Sequence, residues 1–112
     1  MTMYLSQASY TPEALAAQIR NPQDRIEILR PALEKAGGRL VVYGYVTSPP
    51  GLMVVVDWPD DLTAEVSALT VFSNGAFAGG GTNVRLLDGQ QWVQLLTATQ
   101  GPAGEYIPPG QT

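Results

Sequence analysis

Two apolar stretches separated by a proline-rich turn form the strongest pattern in the chain. Residues 40–46 and 52–58 are rich in β-branched and aromatic side chains, which favour strands. The Ser-Pro-Pro-Gly segment at residues 48–51 predicts the connection of a hairpin, because proline cannot donate to a strand ladder. Successive residues of a strand face opposite sides of a sheet, and both sides of this hairpin are largely apolar. We expect the chain's own helices to cover one side and a second copy of the sheet to cover the other.

Proline and capping residues predict two helices before this hairpin. Thr11 and Asn21 are each followed by a proline, which is typical of an N-cap and the first helical position. The pattern therefore predicts helices over residues 12–20 and 22–36. Pro31 lies inside the second helix and predicts a kink there.

A third helix is predicted after the hairpin. Asp60 and Asp61 suit the positive N-terminal end of a helix, and Asn74-Gly75 suits the end of one. Apolar residues recur between these signals at helical spacing and predict the face that turns toward the sheet. These residues are Leu62, Val66, Leu69 and Phe72, with Ser73 as the alternative at the last position.

The remaining segments complete an α+β fold. Residues 1–10 and 82–87 predict the first and last strands, and Asp88 predicts the cap of a short helix over residues 89–97. The order is then strand, helix, strand, strand, helix, strand, with an added C-terminal helix. This βαββαβ order is typical of ferredoxin-like domains. Two such sheets packed face to face would form a dimeric α+β barrel.

Composition limits the chemistry open to the chain. Its 112 residues carry a net charge of −4 and include neither Cys nor His, which excludes thiol nucleophiles, disulfides and imidazole acid–base catalysis. The acidic balance argues against nucleic acid as a partner. No apolar run approaches the roughly 20 residues of a membrane span, and the first residues lack the pattern of a signal peptide. We expect a cytoplasmic protein with one domain over residues 1–100, a Gly/Pro-rich tail over residues 101–112, and no cofactor.

Four features of the sequence together resemble a known family. They are Tyr-Thr-Pro-Glu at residues 10–13, the helix start at Asn21-Pro22, the helix-to-strand junction at residues 34–40, and Pro-Asp-Asp at residues 59–61. Over residues 3–96 the chain resembles the GYD-domain family of small ferredoxin-like proteins. The resemblance implies a dimeric α+β barrel and no established activity.

The chain departs from this family at the motif that names it. The family has Gly-Tyr-Asp at the start of its third strand, whereas here Gly51 is followed by Leu52 and Met53. Any role of the family's tyrosine and aspartate is therefore lost from this chain.

Polar side chains on otherwise apolar strands are the predicted ligand-binding residues. Tyr43, Tyr45, Asn83 and Arg85 carry hydroxyl, amide and guanidinium groups that suit the positioning of a ligand in a cavity, between helices and sheet or between two sheets. The same residue types also suit hydrogen bonds around a dimer interface. Trp58 adds a surface on which an aromatic ligand could stack, although such residues are more often core or interface anchors.

Two further patterns have structural explanations that we favour. Asp57, Asp60 and Asp61 offer oxygen ligands to a hard cation, but a strand end followed by a helix cap explains them, so we predict no metal site. The glycines at residues 79–81 could let a phosphate approach the backbone. They lead into a strand rather than a helix, which favours a bulge or a flexible loop.

These observations leave three hypotheses of function. We favour a homodimeric small-molecule-binding or interaction module without turnover, because the second sheet face is apolar and the usual catalytic residue types are missing. The first alternative is a cofactor-free, monooxygenase-like enzyme acting on a small aromatic or apolar substrate, which rests on fold analogy. The second is a structural protomer of a higher oligomer, with the C-terminal tail reaching a neighbour. The expected partners are a second copy of the chain and a small apolar ligand, with neither nucleic acid nor membrane.

Overall fold

The computed structural model describes residues 1–78 and 81–110. The strands are β1 (Thr2–Ser9), β2 (Arg39–Thr47), β3 (Pro50–Trp58) and β4 (Thr82–Leu86). The helices are α1 (Pro12–Arg20), α2 (Arg25–Lys35), α3 (Asp61–Phe72) and α4 (Gly89–Ala98), followed by a 3-10 turn (Pro102–Gly104).

The four strands form one antiparallel sheet in the order β2-β3-β1-β4. Helices α1 and α2 connect β1 to β2, and α3 connects β3 to β4. This is the ferredoxin-like fold that the order of elements predicts, and the prediction is confirmed.

The two faces of the sheet have different surroundings. One face, called here the helix-covered face, packs against α2 and α3. The core residues on this face and on the two helices are Tyr4, Ile26, Leu33, Leu52, Val54, Val56, Trp58 and Ala64. The opposite face is called the open face. Its apolar residues are Met3, Leu5, Val42, Met53, Val55, Val84 and Leu86.

A β-bulge in β2 decides which residues share a face. Leu40 and Val42 pair with consecutive residues of β3, so Val41 is the extra residue between them. Leu40 therefore lies on the helix-covered face with Tyr43 and Tyr45. Val42 lies on the open face and is 52 % exposed. Strict alternation, which places Leu40 and Val42 on one face, is wrong here because the bulge shifts the register by one residue.

Helix α2 begins at Arg25, three residues after its predicted start at Pro22. The carboxylate of Asp24 is the N-cap, and it accepts a hydrogen bond from the backbone N–H of Glu27 at 3.3 Å. Pro31 lies inside the helix, which continues to Lys35.

Helix α3 turns a different side toward the sheet from the one that its large apolar residues predict. Three of the four predicted inward residues are more than half exposed: Leu62, Val66 and Leu69. The side chains that face the sheet are small, and Ala64 among them is 2 % exposed. Ser67 and Ala68 follow Ala64 at helical spacing. The predicted face is wrong because α3 is apolar on both sides, so hydrophobicity alone does not orient it.

Helix α4 confirms the predicted C-terminal helix. Asp88 and Gln91 form a reciprocal capping box, in which each side chain accepts from the other's backbone N–H. The apolar side of the helix is about half exposed throughout: Trp92, Val93, Leu95 and Leu96. No helix in the described part of the chain is long and apolar enough to cross a membrane.

Candidate functional site

A cavity of about 350 Å³ lies between α2, α3 and the helix-covered face of the sheet. Its volume falls within the range of small-molecule sites, about 300–1,000 Å³. The floor is formed by Leu52, Val54 and Val56 of β3. The walls include Leu29 and Leu33 of α2, and Ala64, Ser67 and Ala68 of α3. The space exists because α3 places small side chains where large ones would fill the gap.

An aromatic cluster lines this cavity near the end of β1. The rings of Tyr10 and Phe77 stack with their centroids 5.0 Å apart, and Phe72 meets Phe77 edge-on at 6.3 Å. Such ring pairs add to the stabilisation that comes from burial. The cluster therefore holds the Tyr10 ring in place.

The segment that carries Phe77 is paired with the end of β1. The N–H of Ala78 donates to the carbonyl of Ser9 at 2.8 Å, and the N–H of Thr11 donates to the carbonyl of Ala76 at 2.9 Å. Residues 76–78 thus extend the sheet immediately before the glycines at residues 79–81. Gly79 and Gly80 of the predicted glycine loop lie outside the described residues.

The Tyr10 hydroxyl is the unusual polar group of the cavity. It is buried and finds no hydrogen-bond partner among residues 1–78 and 81–110. Buried polar groups nearly always have a partner, because leaving one unpaired costs about 1–3 kcal/mol. Burial raises the pKa of Tyr10, so the group is a protonated hydroxyl that is able to donate.

The N-terminus of α2 forms a polar rim beside Tyr10. The Tyr45 hydroxyl donates to Asp24 Oδ1 at 2.6 Å and accepts from the N–H of Ile26 at 2.9 Å. The hydrogen bond from Tyr45 is the main cause that lowers the pKa of the Asp24 carboxyl. Partial burial and the neighbouring carboxylate raise the pKa of Tyr45. Asp24 is therefore ionised at neutral pH, and its Oδ1 accepts hydrogen bonds from both the helix backbone and Tyr45.

The Tyr45→Phe variant is expected to be less stable at neutral pH, with a Tm lower by about 5 °C, because it loses the hydrogen bond to Asp24. The folded-state pKa of Asp24 lies below its unfolded value near 4, so its contribution is present above that value and is lost as the pH falls through the folded-state pKa. The Tm difference between wild type and Tyr45→Phe should therefore shrink between about pH 6 and about pH 3. Thermal denaturation at both pH values checks this, and a difference that grows at low pH would contradict it.

The structure places the five predicted ligand-binding residues on one side of the sheet but brings only part of the set to the cavity. Trp58 lines it and is 7 % exposed, whereas Tyr45 is hydrogen-bonded to Asp24 and Ile26 at the N-terminus of α2. Tyr43 packs under the guanidinium of Arg30, 4.9 Å from its ring centroid. The remaining two are Asn83, whose Oδ1 accepts from Ser6 Oγ at 2.6 Å, and Arg85, which is exposed on the edge strand opposite Tyr4.

Sequence reasoning missed the residues that give the cavity its character. Tyr10 follows directly after β1, Arg25 begins a helix, and Phe77 lies in a glycine-rich segment, so no motif in the sequence groups the three residues. One signal was available: Ala64 and Ala68 form a row of small residues at helical spacing. Such a row of small residues predicts either close packing against the neighbouring element or a cavity, depending on the size of the side chains that face it.

The three aspartates weighed as cation ligands have separate structural contacts. Asp57 pairs with Arg39 at 3.4 Å, and Asp61 accepts from the Tyr4 hydroxyl at 3.1 Å. Asp60 accepts from a backbone N–H in the first turn of α3 at 2.7 Å. Within the described ranges, no group of three or more acidic residues could hold a metal ion.

Comparison with known proteins places this small ferredoxin-like domain in a family. A sequence model of the GYD domain matches residues 4–91, and the chain belongs to that family. No curated protein matches the sequence. Among solved structures, one described as the crystal structure of an antibiotic biosynthesis monooxygenase superposes with a TM-score of 0.48 and 16 % identity, covering 79 % of this chain and 98 % of that one.

The structure shows what the departure from the Gly-Tyr-Asp motif changes. Leu52 is 8 % exposed and lines the cavity, so a tyrosine there would place its ring in this space. Met53 lies on the open face, where an aspartate would add a charge. With leucine and methionine at these positions, the cavity keeps its volume and the open face stays apolar.

Proposed function

We propose that the chain forms a homodimer that binds a small apolar molecule in the cavity of each subunit, without turnover. The observation that carries this proposal is the unpaired Tyr10 hydroxyl in a cavity that is otherwise largely apolar. An empty cavity would leave its lining without dispersion contacts and the hydroxyl without a partner. An apolar ligand with one polar group would supply dispersion contacts to the lining and a hydrogen-bond partner to the hydroxyl.

Binding without turnover fits the groups that the cavity offers. Its lining is mainly aliphatic and aromatic, with a phenol at Tyr10 and a guanidinium at Arg25. Efficient proton transfer at neutral pH needs a group whose pKa lies near 7, and the chain contains no His. Burial raises the pKa of Tyr10 further from neutrality.

The open face supports association with a second copy of the chain. On the β2–β3 side, its apolar residues are interrupted by one ion pair, between Arg39 and Asp57, whose opposite charges cancel. A surface without net charge is compatible with a copy of itself, as a two-fold interface requires. Four strands about 4.8 Å apart, paired over at least five residues, give a flat area of roughly 300 Å².

Helix α4 supplies the further area that a stable dimer needs. A stable interface buries about 800 Å² per partner, more than twice the estimate for the sheet alone. The half-exposed apolar side of α4, which includes Trp92 and Leu96, can add to it. The helix carries no Lys or Arg, whereas helices that lie on membranes are rich in both. A second protein subunit therefore suits α4 better than a lipid surface.

Native mass spectrometry of protein purified from cells without denaturation tests both parts of the proposal. The wild type is expected to appear as a dimer that carries an added small mass. The Ala68→Leu variant should appear as a dimer without that mass, because the larger side chain fills the cavity. Ala17→Leu, on an exposed position of α1 away from the cavity, is the matched control and should keep the mass.

Thermal denaturation separates loss of binding from loss of folding. Ala68→Leu should unfold at or above the temperature of the ligand-free wild type, because filling a space restores packing contacts. A bound mass that survives unchanged in Ala68→Leu would place the ligand elsewhere. A monomeric wild type would overturn the dimer.

A further inference from the structure

The two ends of the cavity differ in polarity. Tyr10 and Arg25 line it at the N-terminus of α2. Leu33 and Trp58 line it toward the other end of that helix. A molecule that fills the cavity would therefore meet a hydroxyl and a cation at one end and a mainly apolar lining, with a few neutral polar side chains such as Ser67, along the rest.

Arg25 has a charge that the fold leaves available. Its guanidinium approaches the Gln23 side-chain oxygen at 3.4 Å, and it makes no ion pair among the described residues. The Arg25 side chain is exposed to solvent at the opening of the cavity, whereas the Tyr10 hydroxyl is buried. Burial raises the pKa of Tyr10; the charge of Arg25 opposes this rise, and the Asp24 carboxylate adds to it.

The neighbouring carboxylate does not use this pair of donors. Asp24 accepts hydrogen bonds from the Tyr45 hydroxyl and from the N–H of Glu27, at 2.6 and 3.3 Å. Its charge lies at the N-terminus of α2, where the helix dipole offsets a negative charge. An acceptor from a ligand is therefore free to take both the Tyr10 hydroxyl and the Arg25 guanidinium.

We infer that the ligand is an amphipathic monocarboxylic acid, whose carboxylate lies between Tyr10 and Arg25 and whose hydrocarbon chain runs along α2 toward Trp58. This inference rests on the proposed binding function. A carboxylate accepts from both donors, and guanidinium–carboxylate contacts are among the stronger hydrogen bonds in proteins. The cavity residues along α2 and its C-cap, from Arg25 to Ala36, extend over about 16 Å.

The length of the lining favours an elongated ligand over a compact ring system. The cavity residues from Arg25 to Ala36 extend over about 16 Å. A medium-chain fatty acid therefore matches the cavity in length and polarity.

Three ten-carbon probes that differ only in the polar group test the inference on the full chain: decanoate, 1-decanol and decylammonium. Titration calorimetry on delipidated protein measures each affinity. Decanoate is expected to bind at least about tenfold more tightly than decanol, because charge-assisted hydrogen bonds are worth more than neutral ones. Decylammonium is expected to bind more weakly than decanol, since Arg25 repels it.

Variants assign the preference to the two donors. Arg25→Gln should remove most of the advantage of decanoate over decanol, and Tyr10→Phe should reduce decanoate binding while the fold is retained. Arg20→Gln, which removes a positive charge from the last turn of α1, is the control and should leave the preference intact. Circular dichroism of each variant verifies folding.

The outcomes distinguish this inference from the proposal beneath it. Equal binding of decanoate and decanol, or a preference that survives in Arg25→Gln, would overturn the carboxylate assignment and leave the binding function standing. Failure of all three probes, together with a wild type that retains no small molecule in native mass spectrometry, would overturn the binding function itself.

Discussion

Replacing Val84 by lysine is expected to split the proposed homodimer into folded monomers. Val84 lies on the open face opposite Leu5 and is 46 % exposed, so a lysine side chain in the monomer reaches water. In a dimer of face-to-face sheets, two-fold symmetry would place two unpaired ammonium groups in the interface. Burying each costs several kcal/mol, which raises the dissociation constant roughly a thousandfold or more. Sedimentation velocity at micromolar concentration measures the change in mass.

The matched control introduces the same lysine on a different apolar surface. Leu62 lies on the outer side of α3 and is 74 % exposed. Leu62→Lys should leave the dimer mass unchanged, since this surface takes no part in the proposed interface. If Leu62→Lys dissociates the dimer and Val84→Lys does not, the outer side of α3 is the interface and the open face is not.

Replacing Gly51 by alanine is expected to destabilise the fold by about 3 kcal/mol. Gly51 pairs with Ser9 where β1 and β3 meet, and a β-carbon there would overlap the carbonyl oxygen of Ala8. The backbone has little room to yield, because the N–H of Tyr10 donates to the carbonyl of Pro50 at 2.9 Å. Any shift that relieves the overlap also moves Tyr10. The variant should therefore lose affinity for the proposed ligand as well as stability.

Urea denaturation followed by tryptophan fluorescence measures the loss, with Gly44→Ala as the control. Gly44 lies in β2, and a β-carbon built there meets no atom within 4 Å. Its replacement should change the free energy of unfolding by less than about 1 kcal/mol, because alanine also restricts the unfolded chain. Equal stability of Gly51→Ala and wild type would show that β1 and β3 can separate at little cost.

The helix starts show where local sequence information was sufficient and where it was not. Thr11, Asp60 and Asp88 each accept from a backbone N–H three residues ahead, as the sequence predicted. The start of α2 was misplaced, because Asn21-Pro22 and Asp24 offer competing signals only a few residues apart. The cap at Asp24 is strengthened by Tyr45, a residue of a distant strand, and no local pattern contains that contact.

The candidate site was the hardest part to predict from the sequence. Tyr43, Asn83 and Arg85 were predicted as ligand-binding residues because they are polar residues on apolar strands. In the structure, Tyr43 packs against Arg30, Asn83 accepts a hydrogen bond from Ser6, and Arg85 is exposed. Tyr10 looks ordinary in the sequence, and only the fold shows that its hydroxyl is buried and unpaired. A polar group acquires such a role through what surrounds it, and the surroundings come from other elements.

The order of elements, most of their boundaries and the apolar character of the hairpin followed from the sequence alone. These features depend on side-chain periodicity and on hydrogen bonds within one helical turn, so a short window of sequence contains their causes. The tertiary structure decided the bulge at Val41, the side that α3 turns inward, the stacking of Tyr10 on Phe77, and the presence of Arg25 in the same cavity lining. Those features depend on how volumes fit between elements that are distant in the chain, and several local patterns are compatible with more than one fit.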